Sequence, residues 1–313
     1  MTQTDWVELP RATEAAHVPE AAVEVVPPDL SPWRRALRRF ASHRPAVAGL
    51  CVLLVVTLSA IFAPWVAAFD PASQHLDKIL QPPDSVNWFG TDQIGRDVFS
   101  RVVFGARVSL SVGVVAVAIY LSIAIVLGSL AGMLGGRLDN LIMRFTDLIM
   151  TTPTFILILI VAGLLGPNIV NIMVIIGIFG WPGVTRLIRG QILLLRELDY
   201  VAASRVLGTS TRQIVVRHVL PNVLGPITVA ATLGVAGAML GEAGLSFLGV
   251  GVTEPIPSWG SMVSYARGIA FLAGMPWMWL APGLAISLTI LSINFIGDGL
   301  RDAFDVRGGG GKD

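Results

Sequence analysis

Five stretches of the chain run without Asp, Glu, Lys or Arg, at residues 45–69, 108–136, 148–185, 218–241 and 268–297. A helix needs about 20 apolar residues to cross roughly 30 Å of hydrocarbon, so each stretch is long enough to span a bilayer. The third is 38 residues long, too long for one span, and Gly166-Pro167-Asn168 in its middle is a tight-turn sequence. It divides into two helices joined by a short hairpin, which predicts six spans.

Two patterned segments lie outside the spans. Trp33, Leu37 and Phe40 fall on one helical face with arginines around the other, as in a short helix lying in the headgroup layer. The second is 199–222, DYVAASRVLGTSTRQIVVRHVLPN. Tyr200 to Leu207 are mostly good helix formers, and Gly208 stands where a helix ends on a left-handed residue. Ser210 followed by Gln213 is a capping box that starts a second helix. Ile214, Val215, Val219 and Leu220 give that helix an apolar stripe, while Arg212 and Arg217 form a charged side. Pro221 marks its end or a kink, because proline lacks the N–H that would continue it. The pattern predicts a helix-turn-helix elbow. The same spacing would also serve an ordinary connection held by its own caps.

Composition confirms the class. Hydrophobic residues make up 54% of the 313 and charged residues only 14%, against roughly 25% charged in soluble domains. Mean hydropathy is +0.72. With the N-terminus placed in the cytoplasm, 17 of the 22 Lys and Arg fall on inner segments and five outside, namely Lys78, Arg96, Arg101, Arg107 and Arg267. The positive-inside rule therefore puts both termini and the elbow in the cytoplasm. Residues 1–30 carry six acidic residues against Arg11, with four prolines and no periodicity, and are expected to be a disordered tail. No cleavable signal peptide is expected, since the first apolar run begins near Pro45. The expected organisation is tail 1–30, interfacial helix 31–44, first span 45–69, outer loop 70–100, a core 101–307 with five spans and the loop 190–222, and a flexible end 308–313.

Several chemistries are excluded or find no support. Cys51 is the only cysteine, so no disulfide forms within the chain. His17, His43, His75 and His218 are scattered, without the convergent spacing of a metal site. A phosphate-binding loop needs Lys before Ser or Thr, but the only lysines, Lys78 and Lys312, precede Ile79 and Asp313. ATP chemistry would have to lie on another chain, and neither a catalytic residue nor a cofactor is expected on this one. A proton or sodium relay needs ionisable groups within the spans, whereas Asp147, Glu242 and Asp298 lie at their edges as interface or capping residues, Glu242 alone within reach of a pathway. Gly128, Gly132 and Gly136, and Gly234, Gly237 and Gly241, let backbones approach closely, within this fold or with a second membrane subunit.

The elbow resembles the loop of binding-protein-dependent ABC importer permeases, whose pattern is Glu-Ala-Ala, three residues, Gly, then a run to Leu-Pro. Ala203, Gly208, Ile214, Leu220 and Pro221 meet it, while Ala202 replaces the Glu and Ser204 the second Ala. The substitution removes a carboxylate that could pair with an ATPase and leaves apolar docking. Further likeness points to the C-type permease of the dipeptide/oligopeptide/nickel branch. It lies in Asn87 to Asp92, Gly95 to Val98, Ser100-Arg101, Gly105 to Arg107, Glu242 to Gly249, Pro257 to Gly260 and Asn294 to Arg307, where Val306 stands in place of a common Pro. Trp88 and Trp259 also suit an aromatic belt at the outer surface.

The resemblance implies an all-α integral membrane protein with the six-span type I ABC importer permease fold. It implies a partner B-type permease, two cytoplasmic ATPases carrying ATP and magnesium, and an outer substrate-binding protein, in a prokaryotic plasma membrane. No nucleic-acid partner is expected. Import of dipeptides or oligopeptides is the implied function, with glutathione-like compounds and nickel chelates left open. Tyr200, Ala203, Leu207, Gly208, Ser210, Ile214, Leu220 and Pro221 would couple to an ATPase, and Asp92, Arg96 and Trp259 would meet the binding protein. Composition alone also fits a secondary transporter or channel, which the uncharged spans and the elbow disfavour. A membrane scaffold without transport would explain the glycine packing but not the ordered outer motifs.

Overall fold

The computed structural model describes residues 32–304; the tail 1–30 and the end 308–313 lie outside the described residues. Helices dominate. Helix α1 (Pro32–Ser42) precedes the first span, α2 (Arg44–Ile61), which is followed by the short α3 (Ala63–Val66). A loop then leads to α4 (Val98–Leu134), α5 (Gly136–Met150), α6 (Thr154–Leu165) and α7 (Ile169–Leu195). The elbow is α8 (Asp199–Val206) and α9 (Thr211–Ile214), continued through one wide turn into α10 (Leu220–Leu248). The chain ends with α11 (Trp259–Val263), α12 (Ile269–Gly274) and α13 (Trp277–Phe304).

Among the described residues, five helices are long and apolar enough to cross a membrane: α2, α4, α7, the run Thr211–Leu248, and α13. The sixth expected span is of another kind. The Gly166-Pro167-Asn168 turn falls where expected, with Gly166 at φ +81° and the Asn168 side chain capping α7. Helix α6, however, has only 12 residues, about 18 Å at 1.5 Å per residue, which cannot cross alone. It pairs with α5 across a 78° bend, the geometry of a broken span or a re-entrant loop.

Four spans, α4, α7, α10 and α13, overrun their uncharged stretches. Helix α4 begins ten residues before Val108, and its 37 residues reach about 55 Å, well beyond the hydrocarbon. Asp97 caps its first turn by accepting from the Ser100 N–H, which explains why it starts so early. Helix α10 runs past Glu242, which therefore lies inside a helix and not at its edge.

Helices α4 and α7 form the centre of the packing. A side chain on Gly128 would come within 2.9 Å of Ile188, and one on Gly132 within 2.7 Å of Ile192. Backbone contact at these two positions thus requires glycine. Gly234 likewise faces the Tyr120 hydroxyl. Gly136 has no such neighbour; at φ +59° it opens α5 just after Gly135, at φ +64°, which separates α4 from α5, and Gly237 meets nothing within 4 Å. Helix α1 lies against α13, with Phe40 over Gly299. The first span is tied in at its far end, where Arg107 donates to the last-turn carbonyls of Ala60 and Ile61.

Candidate functional site

The elbow has the geometry its residues require. Helix α8 ends in a Schellman turn: the Thr209 N–H bonds the Ser204 carbonyl and the Gly208 N–H bonds that of Arg205, each at 3.0 Å, with Gly208 at φ +78°. Both halves of the Ser210–Gln213 capping box are formed. Pro221 neither ends nor sharply breaks the helix. Residues Val215–Val219 make a π-turn just ahead of it, and this wider ring takes up the register that the missing N–H disrupts. The elbow is therefore continuous with a run of 38 residues, Thr211–Leu248.

The coupling residues divide into two sets. Tyr200, Ala203, Leu207, Gly208 and Ser210 are exposed. Ile214, at 1% exposure, is turned inward beside Val201, Val219 and Val223, where it holds the elbow to the protein's own core. A residue so placed cannot touch a partner directly. Leu220 is partly buried and Pro221 exposed. Val206 was not singled out from the sequence, yet it is 87% exposed beside Leu207 at 84%. These two make an apolar tip beside Gly208, while Tyr200, in the first turn of α8, lies near the His218 ring. The signal was the presence of two large apolar residues in the last turn of a short charged helix.

Near the tip, charges are largely paired within the chain. Asp139 receives two hydrogen bonds from Arg189, at 2.6 and 2.7 Å, Arg186 pairs with Asp147, and Arg196 donates to the Gly132 carbonyl. These bonds fix α5 and α4 to α7 behind the elbow. Arg205, Arg212 and Arg217 are exposed beside it.

The opposite end corrects an expectation. Asp92, Arg96 and Trp259, expected to meet a binding protein, are 2%, 4% and 1% exposed. Their side chains are not available to a docked protein, nor is Trp259 part of an aromatic belt. Trp259 instead packs among Ala106, Ala236, Met239 and Ile293, and its indole N–H bonds the Val102 carbonyl at 2.8 Å. Asp92 and Arg96 belong to an ion cluster. Arg96 Nε donates to Asp92 at 2.7 Å, its two Nη atoms reach the Glu254 carboxylate, and one of them bonds the Tyr265 hydroxyl at 2.9 Å. Arg101 Nη2 donates to Glu254 at 2.9 Å.

Burial pushes the Glu254 carboxyl up, but bonds from Arg96 and Tyr265 and the charge of Arg101 outweigh it and hold the group below its usual range. The Arg96 guanidinium, despite burial, is held further above its usual range by Glu254 and Asp92. Tyr265 is pushed up to about 12 by burial and by Glu254. The cluster joins the segment after α3 to the loop between α10 and α13. The exposed apolar residues at this end include Leu76, Ile79, Val86, Trp88, Phe89 and Ile256. Among the described residues, no group of three His, Cys, Asp or Glu could hold a metal ion.

The arrangement moves no bonds of its own. An exposed apolar tip stands at one end of a long helical run and an ion-paired cap at the other. A family model described as binding-protein-dependent transport system inner membrane component matches residues 124–307. A second, the N-terminal transmembrane domain of oligopeptide transport permease C, matches residues 31–83. The chain is 39% identical to the oligopeptide transport system permease protein OppC of Bacillus subtilis, over 89% of this chain and 90% of the relative. It is 41% identical to the dipeptide transport system permease protein DppC of Alkalihalophilus pseudofirmus, over 89% and 91%. With the di/tripeptide transport system permease protein DppC of Pseudomonas aeruginosa the identity is 40%, over 88% and 93%. With its bent α5–α6 pair, its ion-paired loops and its exposed elbow, the chain belongs to the family of binding-protein-dependent transport system inner membrane components, as a multi-pass, non-catalytic permease subunit.

Proposed function

We propose that this permease subunit forms half of the pathway of an ATP-driven importer of dipeptides or oligopeptides. A homologous B-type permease forms the other half, two cytoplasmic ATPases bind and hydrolyse ATP with magnesium, and a substrate-binding protein delivers the peptide from outside. The observation that carries the reading is the exposed apolar tip of Val206 and Leu207 on a chain of this family. Hydrophobic side chains held in water at 84–87% exposure are a docking surface in want of a partner. With Ala202 beside them, the grip is apolar. The peptide substrate rests on the relatives, whose names specify oligopeptides, dipeptides and di/tripeptides. The orientation rests on the excess of arginines on the elbow side.

Leu207→Asp is expected to reduce co-purifying ATPase about tenfold, as loss of a central apolar anchor does at an interface, while yield and helicity stay unchanged. Ile214→Ala should instead lower yield, because it opens a cavity. An L207D complex that retains its full ATPase complement would remove the tip from the interface. For the binding protein, the buried Asp92, Arg96 and Trp259 give way to the exposed Trp88 and its neighbours. Trp88→Ala is expected to weaken binding-protein-dependent uptake several-fold with assembly intact; unchanged uptake would assign Trp88 to the membrane surface. The reading as a whole is tested by uptake of a labelled dipeptide into proteoliposomes holding the purified complex and the binding protein. Uptake that requires ATP is the expected result, and uptake by this chain alone without ATP would replace the importer with a secondary transporter.

A further inference from the structure

Glu242 is 1% exposed, lies within α10, and takes no part in the ion cluster or the elbow. Its carboxylate accepts from three serines on three different segments. Ser246 Oγ on α10 donates to Oε1 at 2.7 Å and Ser258 Oγ, which caps α11, donates to Oε1 at 2.8 Å. Ser109 Oγ on α4 reaches Oε2 at 3.5 Å.

Each hydroxyl in turn accepts a backbone N–H from the loop that follows α10. Val252 donates to Ser246 at 3.1 Å, Ser261 to Ser258 at 3.0 Å and Trp259 to Ser109 at 3.2 Å. All three relays point the same way, from a loop amide through a hydroxyl to the carboxylate. An acceptor-only group at the hub is what lets the three hydroxyls keep that direction. The loop lies directly on the helix there: a side chain added at Gly260 would come within 2.5 Å of the Ala243 Cα.

The far side of the same loop carries Glu254, which holds Arg96 and Arg101. At its other end, the helix that bears Glu242 begins at Thr211, one residue after the elbow's cap at Ser210. One helical run therefore joins the elbow to the Glu242 hub, and the loop joins the hub to the segment before α4.

We infer that Glu242 is a positioning residue of transport coupling, which locks the loop 249–263 to α10 so that motion between the elbow and the opposite end of the protein is transmitted through this one helix. The inference rests on the importer reading above. Without the hub, α10 can move while the loop stays behind, and the signal of a docked binding protein no longer reaches the ATPases.

The test compares ATPase activity of the reconstituted complex with and without loaded binding protein, in wild type, Glu242→Ala, Glu242→Gln and Ser109→Ala. A positioning role predicts that E242A assembles, keeps its basal ATPase activity, and loses about tenfold of the stimulation, within the range usual for coupling between sites. E242Q can still accept from Ser246 and Ser258 through its carbonyl, so it should fall between E242A and wild type. S109A added to E242Q should cost less than the sum of the two single changes, because both act on one relay. Full stimulation in E242A overturns the inference. So does failure of E242A and E242Q alike to assemble, which would make Glu242 a residue of stability only. No stimulation in wild type would overturn the importer reading itself, and the inference with it.

Discussion

Gly208→Val uncouples transport from ATP hydrolysis: uptake falls at least about tenfold while the complex is still made. Gly208 sits at φ +78°, and no atom lies within 4 Å of where a side chain would begin. Space is therefore not the obstacle. The obstacle is the backbone, since a left-handed conformation costs an ordinary residue roughly 1–2 kcal/mol, and a β-branched residue more. The turn would relieve this by giving up the Schellman bonds of Thr209 and Gly208, and the tip of Val206 and Leu207 would lose its fixed angle to α9. Gly208→Asn is the control, because Asn tolerates the left-handed region; it should keep most of the uptake. Coupled transport in G208V, with hydrolysis in step, would show that the tip needs no fixed angle.

Arg96→Ala is expected to destabilise the protein by about 3–5 kcal/mol, the usual cost of removing one partner of a buried ion pair. Asp92, at 2% exposure, would be left facing Arg101 alone at 3.7 Å, and the loop after α10 would lose its bidentate tie at Glu254. The loss should appear as a lower unfolding temperature in detergent and as reduced yield, before any effect on peptide delivery. The pH dependence carries the same signature. Glu254 titrates below its ordinary value in the folded state, so it contributes stability above the ordinary carboxylate range and loses it as pH falls through the lowered value. Wild type should show this acid loss and R96A should show much less of it. An R96A protein as stable as wild type, with altered delivery only, would return Arg96 to the docking surface.

What could be read from the sequence was what is decided within a few residues. The uncharged stretches locate the five long spans because crossing a bilayer is a matter of length and charge. Gly208 and the Ser210–Gln213 box were legible because a cap is an interaction between positions three or four residues apart. The direction in which polar groups face was not legible. Asp92 and Arg96 look like surface charges until Glu254, 158 residues beyond Arg96, is brought to them by the fold. Trp259 looks like a belt residue until α11 carries it inside. Ile214 belongs to the elbow's motif, but the motif does not say which of its apolar residues face in, and the long helix turns this one to the core. Helix α6 is short for a reason that apolarity cannot reveal, since α5 before it is amphipathic and the chain bends sharply between them.

The central claim is that this permease works as one half of an ATP-driven pair, and the direct test is to isolate the chain from its native membrane in mild detergent and identify what comes with it by mass spectrometry. The account predicts a second permease of the same family together with a P-loop ATPase, and a peptide as the ligand of any binding protein that accompanies them. Recovery of the chain alone, or only with itself, under conditions that keep known complexes whole, would contradict it.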